Sequence, residues 1–496
     1  MRFLKNLIYS YFAIIIGFIS SIVSVPVIIR EYGTELFSFW SMIFGISLYI
    51  TTAAFGVPSA ANVAVAGLRT PSAIRRSIRN AFHLLSIISV TITSIGVIYT
   101  LINPEWINIF GHVSQDKIPM LQLSVAILLL LSLVRLPFTL FQQLFIAFNL
   151  VYIERSYQIF LAVLILAAYL LAVFFHLGFA AFSATVGAAG VIVSLSAFYH
   201  LHMYLKSTAD EDALYEEHIS LSGMAKQTLP FFQIGIAQAI TWNCGTFIIS
   251  HMMDASSAAP FVVAIKFVIF AVYTFLIVNN VFFPLYSRAY AEGNMESVNR
   301  FYGYALSFLP AAGGMIWIGA MFFYKDIAIL WTGKPEIYTG PWMMSFLGGF
   351  MYFLAFSNSH NILLQTIKAS GISAWISWIE ALICLAVSVL FTRFLGAVGP
   401  AVGIFTATLI TSLFILPRSV RLYTEGKVGY NYSVHFSHFI KVLMPCLIVG
   451  FFVSDRMELP MKILVFMFTA SAYVTLTGLI LPKGIISDIK NLKWKR

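Results

Sequence analysis

The charged residues that fall inside apolar runs mark where this chain could do chemistry. Lys266, in PFVVAIKFVIF, lies about seven residues into the run 259–282, or roughly 10 Å deep at 1.5 Å per helical residue. An ammonium group at that depth is costly unless it faces water, a partner or an anion. Two readings stand. Either the long stem snorkels toward an interface, or the ammonium lines a water-filled cavity that receives an anionic head group such as a diphosphate. Arg135, in SLVRLPFTLFQQLF, precedes Pro137, which should bend its helix. It is placed to bond freed carbonyls or pair with Glu154, or else to meet an anion. Glu380, in ISWIEALICL, is the only acidic residue well inside a run. Its carboxyl suits coupling to a proton or cation gradient, or hydrogen bonding between helices. Arg69, Arg75, Arg76 and Arg79 form the densest basic patch before the C-terminus. Such a patch suits anionic lipid at a membrane surface or capture of a polyprenyl diphosphate.

The elements that must position these groups are membrane helices. The 496 residues are 60% hydrophobic and 10% charged, against roughly 25% charged in a soluble domain, and the mean hydropathy is +0.88. This composition implies an all-α polytopic membrane protein, because a backbone in hydrocarbon must satisfy its own hydrogen bonds. About fourteen runs approach the roughly 20 apolar residues that span a bilayer. They are 7–29, 37–57, 81–102, 119–140, 157–176, 182–205, 227–250, 259–282, 301–323, 342–365, 373–394, 400–417, 437–453 and 461–481. The first is too long for a signal-peptide core and has no small-residue cleavage site after it.

An even number of spans puts both termini on one side. That side carries most of the lysine and arginine, including Arg2, Lys5, the 69–79 cluster, Arg155, Lys206, Lys226, Arg288, Arg300, Arg418, Arg421 and the 490–496 tail. The other side has only Arg30, Lys117, Lys325, Lys334, Arg393, Arg456 and Lys462. The bias predicts cytoplasmic termini, and it accounts for the net charge of +10 without nucleic acid. The longest inner link, KSTADEDALYEEHISLSGMAK, divides the chain into an N-terminal six-helix lobe (1–205), a cytoplasmic linker (206–226), a second six-helix lobe (227–420) and two further helices with a basic tail (421–496). Pro58 with Arg75 and Pro284 with Arg300 recur at nearly the same offset. Internal repeats of this kind are a recurring plan of secondary transporters.

Several chemistries are disfavoured. No G-x-x-x-x-G-K-[ST] occurs, since Gly333-Lys334 is followed by Pro and Gly426-Lys427 by Val, so ATP hydrolysis by this chain is not expected. Asp210-Glu211-Asp212 spells D-x-D within a generic acidic loop. His200/His202 and His435/His438 lack further ligands, so no metal site is expected. Cys244, Cys384 and Cys446 read as buried hydrophobes.

With the runs placed, three stretches carry a resemblance. They are VPVIIREYGTELFSFWSMIFGISLYI with FGVPSAAN, the 229–294 block ending in PLYSRAYAEGN, and LLQTIKASG with FLGAVGPAVGIFTATLI. Together they resemble the polysaccharide transporters, including O-antigen-type lipid-linked oligosaccharide flippases, of the multidrug/oligosaccharidyl-lipid/polysaccharide exporter superfamily. Ala54-Phe55 and Asn243-Cys244 depart from acidic residues often found there. The resemblance implies two six-helix lobes around a cationic cavity, plus two C-terminal helices, in the bacterial inner membrane. It implies flipping of an undecaprenyl-diphosphate-linked oligosaccharide to the periplasmic face, without a cofactor and with proton or sodium coupling open. It makes Lys266 the central diphosphate contact, with Arg30 at the outer gate or equally an outer interfacial anchor, and Arg288 at the inner mouth; Arg75 and Arg135, read from their own positions, are further candidate basic contacts. Glu380 is the candidate for ion coupling. Polysaccharide polymerase or ligase machinery would be the natural partner. A drug/cation antiporter of the same fold would want more acidic residues in its spans. A polymerase would want a large periplasmic loop, whereas outer loops here stay under about 20 residues.

Overall fold

The computed structural model describes residues 2–53, 57–58, 61–62, 65, 71–103, 105–106, 115–148, 150–207, 221–269, 272, 286, 289–290, 292–367, 369–429 and 432–480. Arg69, Arg288, Pro284, most of the 206–226 linker, the latter part of the eighth run and the basic tail lie outside them. Every regular element among the described residues is helical. Nine apolar helical stretches there are long enough to cross a bilayer. The chain is an all-helical polytopic membrane protein, as its composition requires. Two compact units partition it, Met1–Ala259 and Pro260–Arg496.

In the first unit α1 (Arg2–Ala53) breaks at Gly33, whose φ of 84° and ψ of 172° suit only glycine. The break is pinned from both sides. Tyr32 donates its hydroxyl to the Leu177 carbonyl (2.8 Å), Glu31 meets His176 (2.9 Å), and Glu35 pairs with Lys117. Then follow α2 (Pro71–Ile102), α3 (Ile118–Arg135), α4 (Thr139–Ala147), α5 (Val151–Phe174), α6 (Phe179–Ser207) and α7 (Leu221–Met252). Lipid tails are as apolar as leucine, so membrane helices associate by close packing rather than by a hydrophobic drive. Glycines provide it here. A Cβ on Gly187 of α6 would lie 2.7 Å from Leu131 of α3, and one on Gly45 of α1 would lie 2.5 Å from the Asn243 Oδ1 of α7. An aromatic seam joins α1 to α6, with ring centroids 4.5 Å apart for Trp40 and Phe182 and 5.4 Å for Tyr32 and Phe182.

The second unit contains α8 (Met295–Thr332), α9 (Pro341–Thr366), α10 (Ser370–Leu395), α11 (Gly399–Ile410), α12 (Leu416–Tyr423), α13 (Ser433–His438), α14 (Met444–Val453) and α15 (Leu459–Ile480). Asn294 caps the start of α8 by accepting from the Ser297 N–H, and left-handed Gly333 ends it. The last helix, α15, docks on α8 through polar contacts. Lys462, only 2% exposed, pairs with Asp326 at 2.7 Å, and the Tyr473 hydroxyl donates to the Ala311 carbonyl at 2.8 Å.

Prolines shape the remaining local geometry. Between α11 and α12 the helix widens into a π turn, Thr411–Ile415, two residues before Pro417. Between α13 and α14 a second π turn, Phe439–Leu443, precedes Pro445 by the same spacing. The proline ring crowds the carbonyl four residues earlier and offers no N–H, and a locally wider turn relieves the crowding.

The α10–α11 contact gives a direct check on this packing. A Cβ on Gly403 would sit 2.0 Å from Ser388 Oγ and 2.8 Å from the Cys384 carbonyl, whereas one on Gly371 would meet nothing within 4 Å. Gly403→Ala should destabilise the protein by about 1–3 kcal/mol, read as a lower thermal midpoint in detergent. Gly371→Ala should leave that midpoint unchanged or slightly raised.

Candidate functional site

Lys266 lies in the apolar helical run Ser256–Ile269. Asp254 opens that run. One of its carboxylate oxygens accepts from Ser256 Oγ and the Ser257 N–H (2.7 Å), and the other accepts from Ser257 Oγ (2.7 Å). Burial opposes ionisation of this carboxyl, but the serine hydrogen bonds outweigh it and hold Asp254 below the usual carboxylate range. Lys266 itself is partly buried between Ile265, which is 8% exposed, and Phe267. It has no hydrogen bond or ion pair among the described residues. An ammonium in such surroundings can bind an anion without first releasing a carboxylate.

Glu380 of α10 faces Thr408 of α11 and Thr411 of the π turn, with oxygen separations of 2.6 and 3.2 Å. Proton counting shows what this arrangement can do. Thr411 has one hydroxyl proton, and its oxygen is 3.1 Å from the Ala407 carbonyl as well as 3.2 Å from Glu380. If that proton goes to the carboxylate, Glu380 is ionised and doubly bonded. If it goes to Ala407, a protonated Glu380 donates to Thr411 instead. Both charge states keep both contacts, so the site can gain or lose a proton with little rearrangement.

Among the described residues Arg135 does neither of the structural jobs open to it from the sequence. The Leu133 carbonyl, which Pro137 leaves short of a donor, takes the Leu136 N–H and Ser89 Oγ (2.6 Å) instead. Glu154 accepts from Gln158 Nε2 (2.6 Å) and pairs with Arg155 (3.3 Å). The Arg135 guanidinium packs on Gly190 and donates from Nε to Ser194 Oγ (3.2 Å) between α3 and α6. Within the same unit Arg30 is exposed on α1 beside the Gly33 break. Arg75 is exposed on the first turns of α2, where its Nη2 donates to the Leu205 carbonyl of α6 (3.4 Å). Arg288 falls outside the described residues.

Sequence reasoning passed over His360, which is fully buried in α9. Its Nε2 lies 3.1 Å from the Ser412 carbonyl and 3.3 Å from the Tyr432 hydroxyl, while its Nδ1 lies 2.7 Å from the Tyr302 hydroxyl. A carbonyl only accepts, so Nε2 carries the proton and Tyr302 donates to Nδ1. Ser412 needs this donor. The Leu416 N–H is taken by the Thr411 carbonyl, and Pro417 has none. A histidine five residues before a run's end and a proline in a different run carry no joint pattern, so only the fold reveals the pair. Among the described residues no three histidine, cysteine or acidic side chains gather as a metal site, and the three cysteines are free and buried.

No family description matches this sequence, and no curated protein matches it. Solved structures do resemble it. Lipid II flippase MurJ, in an inward closed conformation, superposes with a TM-score of 0.65 at 15% identity, covering 95% of this chain and 98% of that one. An inward-facing multidrug resistance MATE family transporter of the MOP superfamily gives 0.66 at 13% identity, covering 85% and 99%. A MOP superfamily transporter from Pyrococcus furiosus, whose binding pocket is described as reversed in polarity, gives 0.58 at 15% identity, covering 83% and 96%. The fold is therefore that of the MOP-superfamily transporters.

Two outcomes follow from this geometry. His360→Ala should cost about 1–3 kcal/mol by leaving the Ser412 carbonyl without a donor. Pro417→Ala, which restores a backbone N–H, should shrink that penalty in a double-mutant cycle followed by thermal unfolding. Asp254→Ala should lose about 1 kcal/mol at neutral pH by removing a cap. A carboxyl held below its usual range stabilises fully above its unfolded pKa, near 4, and loses that contribution as pH falls through its folded value. The gap between wild type and Asp254→Ala should therefore close in acid.

Proposed function

We propose that this chain is a flippase that carries an undecaprenyl-diphosphate-linked oligosaccharide, an O-antigen or related surface-polysaccharide repeat unit, from the cytoplasmic to the periplasmic leaflet. It works by alternating access and without ATP. The observation that carries this reading is Lys266, a cation in an apolar helix with no ion pair among the described residues. Its helix belongs to a fold that matches a lipid II flippase along 95% of the chain. An ammonium binds phosphate as a point charge and can release it, which suits a carrier. Arg30 would act at the outer gate, Arg288 at the inner mouth, and Arg135 as a secondary basic contact. Both termini would face the cytoplasm of a bacterial inner membrane, beside polymerase or ligase machinery.

Glu380 favours a second reading, a cation-coupled small-molecule antiporter of the same fold. Its carboxyl keeps its contacts to Thr408 and Thr411 in either protonation state, as a coupling group requires. The MATE neighbour in the structural comparison is described as a multidrug resistance transporter.

Proteoliposomes separate the two. Wild type should move an undecaprenyl-diphosphate sugar, and Lys266→Ala should lower that rate by at least tenfold at matched incorporation. If the variant flips normally, Lys266 is a snorkelling anchor. If wild type moves no lipid-linked sugar but exchanges small cations for protons, the antiporter reading takes its place. Glu380→Gln preserves both threonine contacts, so its thermal midpoint should stay near wild type. If Glu380 couples transport to protons, dependence of the rate on a pH gradient should vanish in that variant.

A further inference from the structure

A groove of about 250 Å³ lies on the first unit, lined by side chains of α2, α4 and α6. Its lining is graded. Arg75 and Arg79 occupy one face of α2 at a spacing of four, beside His202 near the end of α6. Phe82, one turn beyond Arg79, then continues into Phe141 and Phe198, with ring centroids 5.5 and 4.7 Å apart. Arg75, Arg79 and His202 are exposed, and so is Phe198 at 39%, so the groove opens on the surface of the unit.

Charge is strongly one-sided. Among the described residues no acidic side chain lines the groove. Arg75 spends one N–H on the Leu205 carbonyl, and Arg79 has no hydrogen bond or ion pair among the described residues. Two guanidinium groups a helical turn apart, without a counter-charge among the described residues, repel one another and favour a phosphate, which they can grip with paired N–H donors. The aromatic floor suits an acyl chain or glycerol backbone. Among the described residues the lining offers no Asn, Gln, Asp, Glu, Ser or Thr, so hydroxyl-rich sugars would find few partners there. Basic pockets between membrane helices are known to hold lipid head groups.

We infer that the α2–α4–α6 groove is a site for a resident anionic glycerophospholipid, with its phosphate between Arg75 and Arg79 and an acyl chain over Phe82, Phe141 and Phe198. The site is separate from the transported substrate, and it does not depend on which substrate that is.

Native mass spectrometry of the full chain, released from micelles holding phosphatidylglycerol and phosphatidylcholine with identical chains, tests this. Wild type should retain phosphatidylglycerol in preference. Arg75→Gln/Arg79→Gln should reduce that retention about tenfold, and Arg418→Gln/Arg421→Gln, at a different basic segment, should not. Arg79→Gln alone removes no hydrogen bond or ion pair among the described residues, so it should fold and show an intermediate loss even if the double variant does not. Inorganic phosphate at matched concentration should displace none of the bound lipid. Undiminished phosphatidylglycerol in both groove variants would overturn the site. Displacement by inorganic phosphate would reduce it to a simple anion site. Mole-for-mole displacement by undecaprenyl diphosphate would make it part of the transport route instead.

Discussion

Every carbonyl in a membrane helix needs a donor, and a proline four or five residues further on removes the one it would have used. Water cannot fill the gap in hydrocarbon, where an unsatisfied backbone group costs several kcal/mol. This chain meets the demand from neighbouring helices. Ser89 of α2 supplies the Leu133 carbonyl before Pro137, and His360 of α9 supplies the Ser412 carbonyl before Pro417. Each bond ties a bent helix to a particular partner at a particular depth. The bends thus fix helix packing as well as relieve strain. Glycines let the packed pairs approach, with Gly45, Gly187 and Gly403 each facing a side chain or backbone that a methyl group would strike.

The same constraint sorts the ionisable groups. Glu154 has Gln158 and Arg155, Lys462 has Asp326, and Glu380 has two threonines. Arg135 has Ser194. Lys266 stands apart from these as a cation in an apolar helix without such a bond among the described residues. Partnered charges fix helix packing, whereas a cation left open is free to meet a ligand.

Much of the fold was legible in the sequence, because long apolar runs and sparse charge leave helices as the only workable backbone in a bilayer. Lys266 and Glu380 also stood out from sequence alone, since a charge within an apolar run is conspicuous wherever it points. What the sequence withheld was partnership. Arg135 could be read as bonding freed carbonyls or pairing with Glu154, and α6 supplied Ser194 instead. Lys462 read as an outer loop charge, but it is buried against Asp326 from α8, far away in the chain. His360 and Pro417 look ordinary until folding brings the imidazole to a carbonyl. The π turns lie hidden for a similar reason, because a proline can kink, break or widen a helix and its neighbours decide which.

The fold resembles that of solved MOP-superfamily transporters, while the chemistry at Lys266 bears on the proposed cargo. Binding of undecaprenyl diphosphate, undecaprenyl monophosphate and undecaprenol to the wild-type protein, compared with Lys266→Gln, addresses that most directly. The account predicts affinity falling in that order for wild type and nearly level for the variant. Equal affinity of the wild type for all three lipids would contradict it.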